Sequence, residues 1–93
     1  MDTQTNVVNE TLIREQLRDF LQQNFLYDGD VSQVGDDESL LERGIVDSTG
    51  VLELVLFAEE TYDITVDSAD LLPENFDSIN SLTRYVAQRM SQQ

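Results

Sequence analysis

Ser48 is the residue of this chain whose type and setting best suit chemistry. It lies in the segment Gly44-Ile45-Val46-Asp47-Ser48-Thr49-Gly50, and an apolar-rich stretch continues from there to Tyr62. This pattern predicts a serine at the start of a helix, where backbone N–H groups lack intrahelical partners and the helix dipole is positive. A phosphate esterified to its hydroxyl would be stabilised there. The simpler interpretation is that Ser48 only caps the helix, because serine is a favoured N-cap residue.

The composition excludes most ways in which the chain could catalyse a reaction by itself. It has no histidine and no cysteine, so it lacks the commonest general base and any thiol nucleophile. A serine–histidine hydrolase is therefore excluded. The 93 residues are enough for one small domain, without room for a large enclosed active site. We expect that the chain is not an enzyme and that any chemistry at Ser48 is supplied by partners.

The charge of the chain is strongly negative and unevenly distributed. The chain has 19 acidic residues and only 5 arginines, which gives a net charge of −14. Nucleic-acid binding is excluded because phosphate backbones require a basic surface. No basic residue lies between Arg43 and Arg84, whereas nine acids fall there. This distribution favours partners with basic patches, whose approach the field would accelerate. The alternative is that the acidity only keeps the chain in solution.

The acidic clusters after the first predicted helix lack the spacing of a calcium-binding loop. If Asp28 is placed at the first loop position, Gln33 occupies the position of the turn-making glycine. Ser39 then stands where the bidentate glutamate belongs. The sequence also has no phosphate-cradling glycine loop. We therefore expect no metal site and no nucleotide site.

The order of segments predicts a flexible N-terminal tail, residues 1–9, followed by one domain, residues 10–90. The first residues are mostly polar and do not resemble a signal peptide. No apolar run approaches the length of a membrane span. We expect a cytoplasmic monomer.

Apolar periodicity predicts a small all-α bundle of three main helices and one short helix. The first helix runs from about residue 10 to 26, with Asn9 or Thr11 as its cap. The second runs from about Ser48 to Tyr62 and is apolar on most of its circumference, so we expect it to be the central helix. A short helix with Pro73 in its first turn and a last helix capped by Ser78 follow.

The connections between these helices have distinct expected roles. Residues 27–46 form a long, turn-rich loop, and loops of this length tend to be functional. The capping-box spacing of Ser39 and Glu42 predicts one short turn in it. Residues 64–66 resemble a strand but are too isolated to found a sheet, so we expect an extended loop. The residues expected to fasten the long loop to the core are Val31, Val34, Leu40, Leu41 and Ile45.

From about residue 40 to 66 the chain resembles the acyl and peptidyl carrier proteins. The shared motif is an apolar-rich stretch, then Asp47-Ser48, then a helix with a glutamate five residues on, Glu53, and paired acids near its end, Glu59-Glu60. The order of helices, the long first loop, the acidity and the length extend the resemblance to residues 10–90. Thr49, followed by Gly50, departs from the commoner Asp-Ser-Leu. The segments 44–54, 64–66 and 73–79 are more similar to free-standing aminoacyl carriers, such as the D-alanyl carrier proteins.

The resemblance implies a covalent cofactor on Ser48 and a set of enzymes that act on it. In that family the serine carries 4′-phosphopantetheine, added by a phosphopantetheinyl transferase, and the thiol of this arm holds an acyl or aminoacyl group as a thioester. Asp47 is expected to help the transferase recognise the site or organise its metal. An AMP-forming ligase loads the aminoacyl carriers, and downstream enzymes transfer the cargo.

The remaining acids and two small residues near Ser48 have expected roles in recognition. Glu53, Glu59 and Glu60 are expected to face partners, although each could be an ordinary solvated helix position. Thr49 and Gly50 are expected to shape the approach to the arm. The alternative function is an unmodified acidic helical adaptor that binds a basic partner.

Overall fold

The computed structural model describes residues 9–26 and 29–92. This part of the chain contains no β-strand and forms four α-helices, which are α1 Glu10–Asn24, α2 Ser48–Tyr62, α3 Pro73–Phe76 and α4 Ile79–Ser91. Two 3-10 turns, Val31–Gln33 and Ser68–Asp70, lie in the connections. The predicted bundle of three main helices and one short helix is confirmed. Apart from Asn9, the predicted tail lies outside the described residues.

Helix α1 begins where the polar-to-apolar pattern predicts. The side chain of Asn9 accepts a hydrogen bond from the Leu12 N–H at 3.0 Å, so Asn9, not Thr11, is the cap. The helix ends at Asn24, slightly before the predicted end near residue 26. Its inward face consists of buried residues at helical spacing, namely Ile13, Leu17 and Leu21. This face packs mainly against α4.

The long connection before α2 is held to α1 through Arg18. Its guanidinium donates to the Val31 carbonyl at 2.7 Å and to the Val34 carbonyl at 2.8 Å, and it pairs with the Asp36 carboxylate. The Val31 carbonyl also accepts from the Val34 N–H at 3.0 Å in the 3-10 turn, whereas the Val34 carbonyl lies outside regular secondary structure and gains its partner from Arg18. The connection is therefore ordered by polar contacts as well as by apolar ones.

The residues expected to fasten this connection to the core do so with one exception. Val34 and Leu40 are almost fully buried, while Val31 and Ile45 pack against the core from partly buried positions. Leu41 is 38% exposed, so the prediction that it packs into the core is wrong. The backbone turns sharply here because the Ser39 hydroxyl accepts from the Glu42 N–H at 3.0 Å, as the capping-box spacing predicts. Leu40 is therefore buried here, whereas the next residue, Leu41, lies at the surface.

Helix α4, not α2, is the most buried helix. In α4, Ile79, Leu82 and Val86 have no exposed area. In α2, by contrast, Leu52 and Leu56 are more than half exposed. The expectation that α2 is the central helix is therefore wrong. The exposed side of α2 therefore carries these two leucines beside the exposed acids Glu53 and Glu60.

The segment between α2 and α4 follows the predicted outline. Ile64 is buried, and residues 64–66 form no strand. Pro73 is the first residue of α3, where its missing N–H costs no hydrogen bond. The Ser78 hydroxyl caps α4 by accepting from the Ser81 N–H at 3.0 Å. None of the helices in the described part of the chain has the length and hydrophobicity that a bilayer crossing needs.

Candidate functional site

Ser48 is the first residue of α2, and its side chain is exposed. Within residues 9–26 and 29–92, no group makes a hydrogen bond to its hydroxyl. The capping role belongs to Asp47, whose carboxylate accepts from the Gly50 N–H at 2.8 Å. The interpretation of Ser48 as a simple N-cap is therefore wrong. Its hydroxyl is available for chemistry without any loss of structural bonds.

The first backbone N–H groups of α2 differ in whether they have an acceptor. The Gly50 N–H is taken by the Asp47 carboxylate, and the Val51 N–H donates to the Asp47 carbonyl at 3.0 Å. The N–H groups of Ser48 and Thr49 have no acceptor in the described part of the chain. Two unpaired donors and the positive end of the helix dipole suit an anion attached to the Ser48 hydroxyl.

Gly50 lets the start of α2 pack closely against the rest of the fold. A β-carbon at this position would lie 2.8 Å from both Phe25 Cε1 and Val46 Cγ1, which is closer than side chains approach. Gly50 is buried and Val46 is 2% exposed, so this contact lies inside the protein. Gly50 therefore acts through packing, whereas Thr49 is exposed beside Ser48.

An apolar groove of about 300 Å³ opens beside Ser48. We call it the Ser48 groove, and its other lining residues are Leu41, Val51, Leu52, Leu71, Leu72, Pro73 and Phe76. The groove is not predictable from the sequence, because its lining comes from three separate segments. The only local signal is that leucine pairs at 40–41 and 71–72 stand in otherwise polar connections. Nothing in that pattern brings the two pairs to one side of α2.

The Leu41 side of the groove is held in place by Asp77, which follows α3. The Asp77 carboxylate accepts from the Leu41 N–H at 2.9 Å and from the Ser39 hydroxyl. The Asp77 carbonyl accepts from the Leu40 N–H at 2.7 Å. These bonds tie the long connection to the α3–α4 junction. They therefore fix residues 39–41, including Leu41 of the groove lining, relative to α3 on the other side of the groove.

The acids predicted to face partners differ in their surroundings. Glu53 and Glu60 are exposed. Glu59 is half-buried, and its carboxylate accepts from the Val66 N–H at 2.9 Å, so it holds the connection after α2. The described residues include no group of three or more acids arranged to hold a metal ion.

No protein-family model matches this chain. Two individual proteins are nevertheless similar to it, both named D-alanyl carrier protein. The one from Streptococcus suis strain 98HAH33 is 31% identical over 78 residues, which cover 84% of this chain and 95% of that protein. The one from strain 05ZYH33 is 28% identical over the same shares. Because this similarity spans nearly the whole domain, the chain belongs to the D-alanyl carrier protein family.

Proposed function

We propose that this carrier protein holds its cargo on a 4′-phosphopantetheine arm esterified to Ser48. The observation that supports the proposal best is the exposed Ser48 hydroxyl, which makes no hydrogen bond in the described part of the chain. The unpaired N–H groups of Ser48 and Thr49 suit a phosphodiester at this position. The residues present therefore fit the group that the family implies.

The proposed attachment needs coenzyme A and a transferase. The Ser48 Oγ atom attacks the phosphorus of coenzyme A that bears the pantetheine group. An Oγ–P bond forms, the P–O bond to the adenosine nucleotide breaks, and the hydroxyl proton passes to a base of the transferase. We assign the base to the transferase because this chain has no histidine and none of its described groups makes a hydrogen bond to the Ser48 hydroxyl. Asp47 remains our proposed recognition residue for the transferase, in addition to its capping bond.

The arm, once attached, supplies a thiol that holds an acyl or aminoacyl group as a thioester. Both similar proteins are named for a D-alanyl group, so we propose a small aminoacyl cargo, D-alanine in the first place. The proposed partners are an AMP-forming ligase that loads the arm and enzymes that take the cargo from it. The chain is then a substrate of enzymes and not itself an enzyme. The transferase takes the arm from coenzyme A and the ligase uses ATP, so we propose that the carrier works in the cytoplasm. We also propose that it is a monomer.

We also propose that the exposed acids of α2 guide these partners to Ser48. Glu53 and Glu60 are exposed and suit this role better than Glu59, which already has an internal hydrogen bond. Exposed charges of this kind accelerate association more than they strengthen it. A carrier that several enzymes must bind and release in turn benefits from fast association of moderate strength.

The attachment is tested by incubating the protein with coenzyme A and a broad-specificity phosphopantetheinyl transferase, and then measuring the intact mass. The wild type should gain one arm, and Ser48→Ala should gain none. Thr61→Ala is the matched control, because it removes an exposed hydroxyl from the opposite end of α2 and should leave the gain intact. A wild type that gains no mass, or a Ser48→Ala variant that does, would refute the proposal. The first of these results would favour the unmodified adaptor.

The cargo is tested on protein purified from its native cell. Cleavage of the thioester should release a small amino acid. Long-chain acyl groups as the main product would contradict the proposed cargo while leaving the attachment to Ser48 intact.

A further inference from the structure

One wall of the Ser48 groove has little apolar packing to hold it in place. Leu71 and Leu72 line the groove and are 39% and 43% exposed. They belong to an irregular connection between the 3-10 turn Ser68–Asp70 and α3. Since burial does not fix these two side chains, their position depends on the backbone bonds around them.

Asp70, immediately before the two leucines, takes part in several of these bonds, while the Leu71 N–H donates to the Ser68 carbonyl at 3.2 Å. The Asp70 carbonyl accepts from the Leu72 N–H at 2.8 Å and from the Asn75 side-chain amide at 2.9 Å. The Asp70 carboxylate accepts from the Tyr85 hydroxyl at 2.8 Å. Tyr85 lies on α4, the most buried helix, and is 7% exposed. The Tyr85–Asp70 hydrogen bond therefore connects the wall of the groove to the core.

The Tyr85 hydroxyl keeps its proton at neutral pH and can therefore donate steadily to Asp70. Burial, together with the hydrogen bond to Asp70, raises the pKa of the Tyr85 hydroxyl to about 12. Its ring also packs against Phe76, with the ring centroids 5.2 Å apart. Phe76 is almost fully buried and contributes to the same groove. One residue of α4 thus contacts Phe76 of the groove lining and Asp70, the residue before Leu71.

We infer that Tyr85 is a positioning residue for the Ser48 groove, because its hydroxyl holds Asp70 and thereby places Leu71 and Leu72 beside the arm-bearing serine. The use of the groove by the arm rests on the proposed function. The placement of the wall by Tyr85 does not, so the two can be tested separately.

The first test measures amide hydrogen exchange in the unmodified protein. Tyr85→Phe keeps the ring against Phe76 and removes only the hydroxyl. The Leu72 amide should then exchange about fivefold faster, the factor expected from loss of one hydrogen bond. Tyr62→Phe is the matched control, because it removes a hydroxyl that bonds Gln16 at the same 2.8 Å distance, but between α2 and α1. Unchanged exchange in Tyr85→Phe, or equal acceleration at Leu72 in both variants, would overturn the inference.

Two substitutions of Asp70 distinguish the proposed positioning of the groove wall from a general loss of stability of the fold. Asp70→Asn keeps an oxygen that can accept from Tyr85, so exchange at Leu72 should stay near that of the wild type. Asp70→Ala should match Tyr85→Phe, and the double variant should exchange no faster than either single one. Additive acceleration would show that the two residues act independently and would contradict the inference.

The last test uses the protein after arm addition. Nuclear Overhauser contacts between the methyl groups of the arm and those of Leu71 and Leu72 should weaken in Tyr85→Phe, while the mass gain at Ser48 stays complete. Unaltered contacts would overturn the positioning role. If the wild type accepts no arm, the proposed function fails, whereas the exchange measurements still decide whether Tyr85 places the wall.

Discussion

Asp47 combines a structural and a proposed recognition role, and two substitutions separate them. Asp47→Ala removes the carboxylate that accepts from the Gly50 N–H at 2.8 Å. Asp47→Asn keeps an acceptor oxygen, and asparagine is as good an N-cap as aspartate. The two variants therefore differ in the cap while both lack the charge.

The expected changes in stability follow from the capping bond. Loss of an N-cap costs about 1 kcal/mol, so Asp47→Ala should lower the melting temperature by about 4 to 8 °C in a domain of this size. Asp47→Asn loses a favourable charge at the helix start, worth about 0.3 to 1 kcal/mol. This loss is partly offset because it relieves self-repulsion in a chain of net charge −14. Asp47→Asn should therefore melt close to the wild type.

The assay compares thermal unfolding, followed by circular dichroism, with the rate of arm addition well below both melting temperatures. If the transferase uses the charge of Asp47, both variants should accept the arm more slowly, although only Asp47→Ala is destabilised. Arm addition to Asp47→Asn at the wild-type rate would refute the recognition role. Asp47 would then act through the cap alone.

Three further predictions concern packing, charge and pH. Gly50→Ala should destabilise the fold by about 1 kcal/mol in urea unfolding, because overpacking against the neighbouring side chains outweighs the gain of about 1 kcal/mol in helix propensity; a stabilised variant would contradict this. Glu53→Lys should slow association with the transferase severalfold at low salt and much less at physiological ionic strength, where screening acts beyond about 8 Å. Glu15→Lys, an exposed reversal on α1, is its control, and equal slowing by both would show that only net charge matters. Burial raises the pKa of Tyr62 and of Tyr85 from 10.0 to about 12, so the folded state holds these protons more tightly than the unfolded chain. The contribution of these two groups to the free energy of unfolding should therefore be complete below pH 10 and be lost as the pH rises toward 12. A decline of the same size in the variant that carries both Tyr62→Phe and Tyr85→Phe would exclude this cause.

Local features of the sequence determined the helix boundaries near the site. The position of Ser48 at the start of α2 depends on Asp47 and on the apolar residues that follow, all within a few positions. Pro73 at the start of α3 and Ser78 as the cap of α4 follow the same logic. Caps and helix periodicity involve residues that are close in the chain, so the sequence narrows each helix start to one or two candidate caps without knowledge of the fold.

The local sequence pattern did not determine which of two similar neighbouring residues makes a given hydrogen bond. Asp47 and Ser48 are both favoured caps, and the three-dimensional arrangement of the helix start assigned the bond to Asp47. Glu59 and Glu60 are adjacent acids, yet only Glu59 accepts a bond from the connection that folds back over α2. The partner of a side chain on another segment is not encoded in its immediate neighbours.

Only the tertiary structure decided which apolar residues are buried and which line the Ser48 groove. The apolar content of α2 predicted a central helix, but α1 and α4 pack against each other and leave Leu52 and Leu56 exposed. Leu41 resembles Leu40 in the sequence and differs from it in burial because of the turn at Ser39. Burial depends on what packs against a surface, and those contacts join segments far apart in the chain.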